Sequence, residues 1–124
     1  MHRRMRPLLL IAALTLGLAA CGGGGDDGGQ GASDAACASG TVTIKMVDIK
    51  FDPEAADAGV GQEVCWVNED SIDHNVVANS GATFKSDLFG KGKTFTATVD
   101  KPGTIAYECT IHPGMTGTLE VSRR

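Results

Sequence analysis

Histidine is scarce in this chain, and the scarcity limits its metal chemistry. The 124 residues include three histidines, four cysteines and four methionines. A metal cluster built from many imidazoles, as oxidase and reductase centres require, therefore lacks its ligands. The sequence also contains no Ser-His-Asp arrangement, paired-carboxylate motif or phosphate-binding loop. These absences predict a protein that is not an enzyme.

Long apolar runs are also lacking. The longest, Leu8 to Ala20, has thirteen residues, whereas a membrane-spanning helix needs roughly 20. Three arginines precede it, which is typical of a secretory signal. The end of the run, Leu18-Ala19-Ala20-Cys21, resembles the lipobox of bacterial lipoproteins and implies that residues 1–20 are removed and Cys21 is lipidated. An ordinary signal peptide would instead leave Cys21 as a free thiol.

Large apolar side chains are missing from residues 21–40, where glycine dominates. Such a segment cannot bury a core, so we expect a flexible tether with a reach of roughly 25 Å. Residues 41–124 then form a single domain. The protein would be exported and lipid-anchored to a bacterial membrane in the cell envelope, on the periplasmic or extracellular face. Its contact with the membrane would be through the anchor only.

An excess of basic residues is absent as well. The formal net charge is −4 at pH 7, and removal of the leader arginines makes it more negative. Nucleic acid and anionic lipid surfaces are therefore poor partners. We expect a monomer that does not bind nucleic acid.

Aromatic residues make up 5% of the chain, so the domain buries a limited core. Alternating segments bounded by Gly, Pro, Asn and Asp predict strands, and no segment has a long helical period. The predicted strands are 41–51, 63–67, 74–78, 94–99, 104–109 and 117–121. This pattern favours an all-β fold, a Greek-key β-sandwich.

What the chain does contain is a run of soft metal donors near its C-terminus. Cys109, His112 and Met115 recur at every third position. A Pro-Gly pair between the last two disfavours a helix, so we predict a loop joining two strands. A thiolate, an imidazole and a thioether are donors of a one-electron copper centre, which a second imidazole completes. Without the leader, His74 is the only other histidine.

The sequence around these donors resembles a known family. Tyr-x-Cys-x-x-His-x-x-Met after Pro102-Gly103-Thr104, with His74-Asn75-Val76 upstream, is similar to the plastocyanin and amicyanin group of cupredoxins, the type 1 blue copper proteins. The short gap before the methionine is closer to amicyanin. The resemblance covers roughly residues 41 to 122. Two positions depart from the pattern: Asp73, where the best-known members carry proline, and Cys65, a strand position not usually cysteine.

The resemblance implies a cupredoxin-like fold and one type 1 copper ion. Cys109 would supply the thiolate, His74 and His112 the imidazoles, and Met115 the weak axial ligand. Asn75 would stiffen the site through hydrogen bonds near the sulfur. The implied function is transfer of single electrons by Cu(II)/Cu(I) cycling between a donor and an acceptor redox protein. An envelope protein that binds and delivers copper with the same site is the alternative.

The number of cysteines also predicts a pairing. If Cys21 carries lipid and Cys109 binds copper, Cys37 and Cys65 remain to form a disulfide in an oxidising compartment. An alternative stays open, because Tyr107 two residues before Cys109 is also typical of an immunoglobulin-like strand bridged to Cys65. That pairing would make the protein a copper-free binding module, although the cysteines are closely spaced for that fold.

Electrons should leave the site near the ligand loop. We expect His74 to be buried on its strand, whereas His112 should expose one ring edge. An apolar rim around His112 is predicted from Ile111, Pro113 and Gly114, together with Leu88 or Phe89. Transient electron-transfer contacts are small, so a modest patch suffices for docking.

Overall fold

The chain folds into two β-sheets packed face to face. The computed structural model describes residues 37–123. Its strands are β1 (Val42–Val47), β2 (Lys50–Asp52), β3 (Ala55–Gly59), β4 (Glu63–Asn68), β5 (Val77–Ser80), β6 (Thr94–Thr98), β7 (Gly103–Glu108) and β8 (Thr116–Ser122). One sheet has the order β2-β1-β4-β6 and the other β3-β8-β7-β5. The predicted all-β Greek-key sandwich is confirmed.

Strand pairing fixes the direction in which β4 runs through its sheet. β1 runs parallel to β4 and β3 runs parallel to β8, while the other neighbours are antiparallel. β4 therefore begins beside the start of β1 and ends beside the turn between β1 and β2. This second end of β4 leads directly into the segment that carries His74.

The predicted strands agree with the structure except in three places. The strand predicted at 41–51 is divided into β1 and β2 by a turn at Asp48 and Ile49, where φ is positive. The segment Ala55–Gly59 forms β3 although it has no large apolar side chain, so no alternation signals it. The strand predicted at 74–78 begins only at Val77, because His74 and Val76 bond to Phe89 and Ser86 instead. His74 thus lies in an isolated bridge with Phe89, and its predicted place within a strand was wrong.

Aromatic packing fills the space between the sheets. Trp66 is fully buried, and its ring centroid lies 5.2 Å from that of Phe84, 5.4 Å from Tyr107 and 5.8 Å from Phe95. Aromatic pairs at such separations add to the stability gained from burial alone. Met46 is buried in the same core, as its alternation in β1 predicts.

A disulfide joins Cys37 to Cys65, with 5.8 Å between the α carbons. Cys65 alternates with the core residue Trp66, so it faces outwards from β4, and it is nevertheless fully buried. Cys109 is a free, buried thiol. The predicted pairing is therefore confirmed, and the immunoglobulin-like bridge between Cys65 and Cys109 is wrong.

The predicted leader, the lipidation site Cys21 and most of the tether lie outside the described residues. Within residues 37–123, no helix is long and apolar enough to cross a membrane.

Candidate metal centre

His74 is held at one end of the sandwich by backbone pairing with Phe89. The His74 amide donates to the Phe89 carbonyl at 3.1 Å, and the Phe89 amide donates back at 2.9 Å. The neighbouring Asn68 side chain donates to the carbonyls of Ile72 and Phe89 at 2.8 and 2.9 Å. His74 and Asn68 are both fully buried. These hydrogen bonds fix the backbone that carries the His74 imidazole.

The second group of donors lies on the loop between β7 and β8, as predicted. Cys109 follows β7 directly, and its amide donates to the Met115 carbonyl at 2.9 Å. The Met115 amide donates to the His112 carbonyl at 3.1 Å. Gly114 has a φ of 85°, a left-handed conformation that glycine adopts without strain. These bonds close the loop on itself and limit its motion.

The structure brings His74, Cys109 and His112 together. The Nδ1 atoms of the two imidazoles are 3.1 Å apart, and Cys109 Sγ lies 3.7 Å from His74 Nδ1 and 3.4 Å from His112 Nδ1. Each ring therefore turns the same nitrogen towards the thiol. Three donors from two segments, 38 residues apart at the widest, form one compact triangle.

These spacings suit a single first-row metal ion. Such ions bind imidazole nitrogen at about 2.0 Å and thiolate sulfur at about 2.3 Å, which puts neighbouring donors about 3–4 Å apart. Two imidazoles and one thiolate in a trigonal arrangement are the strong donors of type 1 copper. His74 and Cys109 are buried and His112 is partly exposed. The donor set therefore fits copper, with one ligand near solvent.

Met115 lies on the same loop and is 2% exposed. Its backbone helps to close the loop, and its side chain belongs to the buried cluster that includes Cys109. An axial thioether in type 1 copper sites forms a long, weak bond. The axial role of Met115 remains a prediction.

Asn75 links the two ligand-bearing segments. Its Oδ1 accepts from the Thr110 amide at 2.8 Å, and its Nδ2 donates to Thr110 Oγ1 at 2.8 Å. Since Thr110 follows Cys109 and Asn75 follows His74, this double contact ties one ligand to the other. Asn75 therefore stands where the resemblance implies a stiffening residue.

Sequence reasoning missed Asp70. Its Oδ2 lies 2.8 Å from His74 Nε2, the ring nitrogen that faces away from Cys109. Burial raises the pKa of the Asp70 carboxyl, but hydrogen bonds from the Ile49 amide, the His74 ring and the Asp48 amide outweigh it and hold that pKa below its ordinary value. A carboxylate four residues before a ligand histidine was the available signal.

Comparisons with known proteins agree with this geometry. Residues 38–122 match the family of copper binding proteins described as plastocyanin/azurin. Amicyanin-alpha of Methylorubrum extorquens is 31% identical over 87 residues, which cover 67% of this chain and 73% of that protein. Plastocyanin of Scenedesmus fuscus is 34% identical over 96 residues, which cover 64% of this chain and 98% of the plastocyanin.

Solved structures give the same result for the fold. A single-site variant of amicyanin in its oxidised state superposes with a TM-score of 0.70 at 27% identity, covering 77% of this chain and 95% of the amicyanin chain. This structural match includes strands of both sheets. The residues that match the family, 38–122, include every donor of the site. The chain therefore belongs to the copper-binding plastocyanin/azurin family of cupredoxins, and its cofactor is one type 1 copper ion.

Proposed function

We propose that this protein is a membrane-tethered carrier of single electrons that cycles between Cu(II) and Cu(I) and serves a donor and an acceptor redox protein. Family membership supports copper-based electron transfer in general. The observation that carries the proposal is the compact triangle of His74, Cys109 and His112, in which two donors are buried and one is partly exposed. The protein is not an enzyme in this proposal.

Rigidity of the ligands favours electron transfer. The bound copper supplies the one-electron couple, and the chain has to keep the donors still while the charge changes. His74 is fixed by Phe89 and Asp70, and the loop is closed by the bond from the Cys109 amide to Met115. Donors that are already ordered lose little entropy and move little when the metal changes oxidation state.

Partial exposure of His112 provides the path to a partner. Ile111 beside it is 46% exposed and Leu88 is 51% exposed, while Pro113 is exposed on the same loop. Phe89 is only 4% exposed, so Leu88 is the better candidate for the apolar rim. A small apolar patch of this kind suits brief contacts between redox proteins.

In this proposal Met115 is the axial ligand and Asn75 holds the two ligand segments together. The thioether tunes the reduction potential without being needed for copper to bind. The amide of Asn75 maintains the spacing between His74 and Cys109 through Thr110. Both residues would therefore tune the reduction potential and the geometry of the bound copper, and neither would be required for copper to bind.

The tether is the second part of the proposal: residues 1–20 are cleaved, Cys21 is lipidated, and residues 21–40 connect the anchor to the domain. Gln62 Nε2 donates to the Gly40 carbonyl at 3.3 Å, so the chain enters beside the start of β4, whereas His74 follows its other end. In this proposal the protein is a monomer anchored in the bacterial envelope, and the entry of the chain beside the start of β4 would direct the copper away from the lipid.

Electron self-exchange separates this function from copper delivery. NMR line broadening in mixtures of Cu(I) and Cu(II) protein should show fast exchange, while transfer of Cu(I) to a chelator should be slow. Slow exchange together with ready loss of copper would contradict the proposal and favour delivery.

Membrane attachment is tested with Cys21→Ala. In bacterial cells the unmodified protein should fractionate with membranes and carry lipid on Cys21, as mass spectrometry would detect. The variant should be released into the soluble envelope fraction with its copper site unchanged. Equal membrane attachment of both forms would contradict the tether.

A further inference from the structure

The carboxylate of Asp70 contacts two parts of the molecule at once. Oδ1 accepts from the Asp48 amide at 2.8 Å, and Oδ2 accepts from the Ile49 amide at 3.0 Å. Oδ2 also lies 2.8 Å from His74 Nε2. The side chain of Asp70 is 14% exposed. One carboxylate therefore links the turn between β1 and β2 to a ligand of the metal site.

That turn has an unfavourable sequence. Asp48 and Ile49 have φ values of 55° and 58°, the conformation of a two-residue type I′ hairpin, which strongly prefers Asn-Gly. A β-branched residue in the left-handed region is strained. Ile49 is also 46% exposed, so burial of its side chain does not offset the strain. What the conformation does provide is two adjacent amides that point at one carboxylate.

The two imidazoles of the site differ in whether their outer ring nitrogen has a protein partner. Nε2 of His74 is bonded to Asp70, and His74 is fully buried. His112 is partly exposed, and within the described residues its recorded ring contacts are those of Nδ1 with His74 and Cys109. Asp70 therefore orients the His74 imidazole, whereas the His112 imidazole faces solvent.

We propose that Asp70 is the positioning residue of His74: the amides of Asp48 and Ile49 fix its carboxylate, which holds the proton on Nε2 and leaves the Nδ1 lone pair free for copper. The carboxylate makes the imidazole a stronger donor to Cu(II). Asp70 thereby tightens Cu(II) binding and lowers the reduction potential. This inference rests on the proposed role of His74 as a ligand.

The first test uses the copper-free protein, so it does not depend on electron transfer. Nitrogen chemical shifts should show His74 as the Nε2–H tautomer, and the amides of Asp48 and Ile49 should be protected from hydrogen exchange. In Asp70→Asn, the protection of both amides should fall at least tenfold, as roughly follows from losing a charge-assisted bond, and the tautomers should mix. An Nδ1–H tautomer in the unsubstituted protein would overturn the proposal, whether or not Asp70→Asn folds.

The second test uses copper and a control matched in charge. Asp70→Asn should weaken Cu(II) binding by about 10- to 100-fold, the usual effect of losing a partner of a ligand histidine, and should raise the potential. Asp73→Asn removes the same charge from an exposed residue next to His74 and should change neither. Asp70→Glu restores a carboxylate and should recover part of the affinity. Equal effects of Asp70→Asn and Asp73→Asn would overturn positioning in favour of simple charge.

The two proposals fail in different ways. Absence of a thiolate-to-copper band in the unsubstituted protein would refute the proposed function but leave the copper-free NMR result standing. A normal band with an unchanged Cu(II) affinity in Asp70→Asn would refute only the role of Asp70.

Discussion

The two sulfur atoms of the ligand loop differ in their expected strength as copper ligands. Cys109 is 2% exposed and lies within hydrogen-bonding range of both imidazoles, so its thiolate is a principal donor. Met115 is equally buried, but a thioether is a weak ligand of copper. Loss of each sulfur should therefore have a different effect.

Met115→Leu should keep the blue colour and raise the reduction potential. Leucine fills a similar volume, so the core should tolerate the change. Loss of a thioether donor destabilises Cu(II) more than Cu(I), which raises the potential. Voltammetry together with absorption spectroscopy would measure both quantities. Loss of the colour, or a potential equal to that of the unsubstituted protein, would contradict the axial role.

Tyr107 gives a prediction about alkaline pH. Burial raises the pKa of its phenol to about 12, above its usual value near 10. The folded state therefore keeps a proton that the unfolded chain releases, so stability is unaffected below about pH 10 and falls between about pH 10 and 12 by up to about 2–3 kcal/mol.

Tyr107→Phe should remove this part of the alkaline loss, since the chain has one tyrosine. At pH 7 the variant should unfold within about 1 kcal/mol of the unsubstituted protein, because within residues 37–123 the phenol oxygen makes no hydrogen bond of good geometry. Urea unfolding of copper-free protein at several pH values measures both effects. Identical pH profiles for the two proteins would contradict this account.

The ligands could be predicted from single residues, but the partner of His74 could not. With so few histidines, the motif around Cys109 left His74 as the remaining candidate. Asp70 gave a weaker signal, because its position depends on amides of the turn at Asp48 and Ile49, more than twenty residues away. The left-handed conformation of that turn contradicts the preferences of its own sequence.

At the scale of strands, the disulfide is the feature with the largest expected effect on stability. Cys37 and Cys65 are 28 residues apart, and closing a loop of that length restricts the unfolded chain by about 3–4 kcal/mol. The bridge attaches the start of the domain to the outer face of β4. Cys65 lies in the first half of β4, whereas the segment that carries His74 follows the end of that strand.

Cys37→Ala/Cys65→Ala should lower the free energy of unfolding by about 3–4 kcal/mol and leave the copper spectrum unchanged. Urea unfolding and absorption spectroscopy measure the two quantities. Cys37→Ala alone should be similarly destabilised, since it breaks the same bridge. If the double variant lost its colour as fully as Cys109→Ala, the separation of structural and metal-binding cysteines would be wrong.

Strand alternation predicted most of the sandwich, and two of its three failures have the same physical reason. β3 consists of Ala, Asp and Gly and is held by parallel pairing with β8, so its own side chains carry no alternation. Residues 74–76 have the composition of a strand, but their backbone pairs with residues 86–89. Long-range pairing decided both cases, and local propensity is a weak guide to it.

At the scale of the whole molecule, the domain has two functional ends. The disulfide and the contact between Gln62 and Gly40 lie towards the start of β4, where the proposed tether joins. The metal donors and the exposed side chains of Ile111 and Leu88 lie beyond its other end. The proposed attachment and the proposed electron transfer therefore use different ends of the domain.

The central claim, a type 1 copper site built on His74, Cys109 and His112, is tested most directly by the absorption spectrum after adding Cu(II) to the purified protein. The account predicts an intense visible thiolate-to-copper band that saturates at one equivalent, disappears on reduction and is absent in Cys109→Ala. No such band, with Cys109 still a free thiol or found in a disulfide, would contradict it.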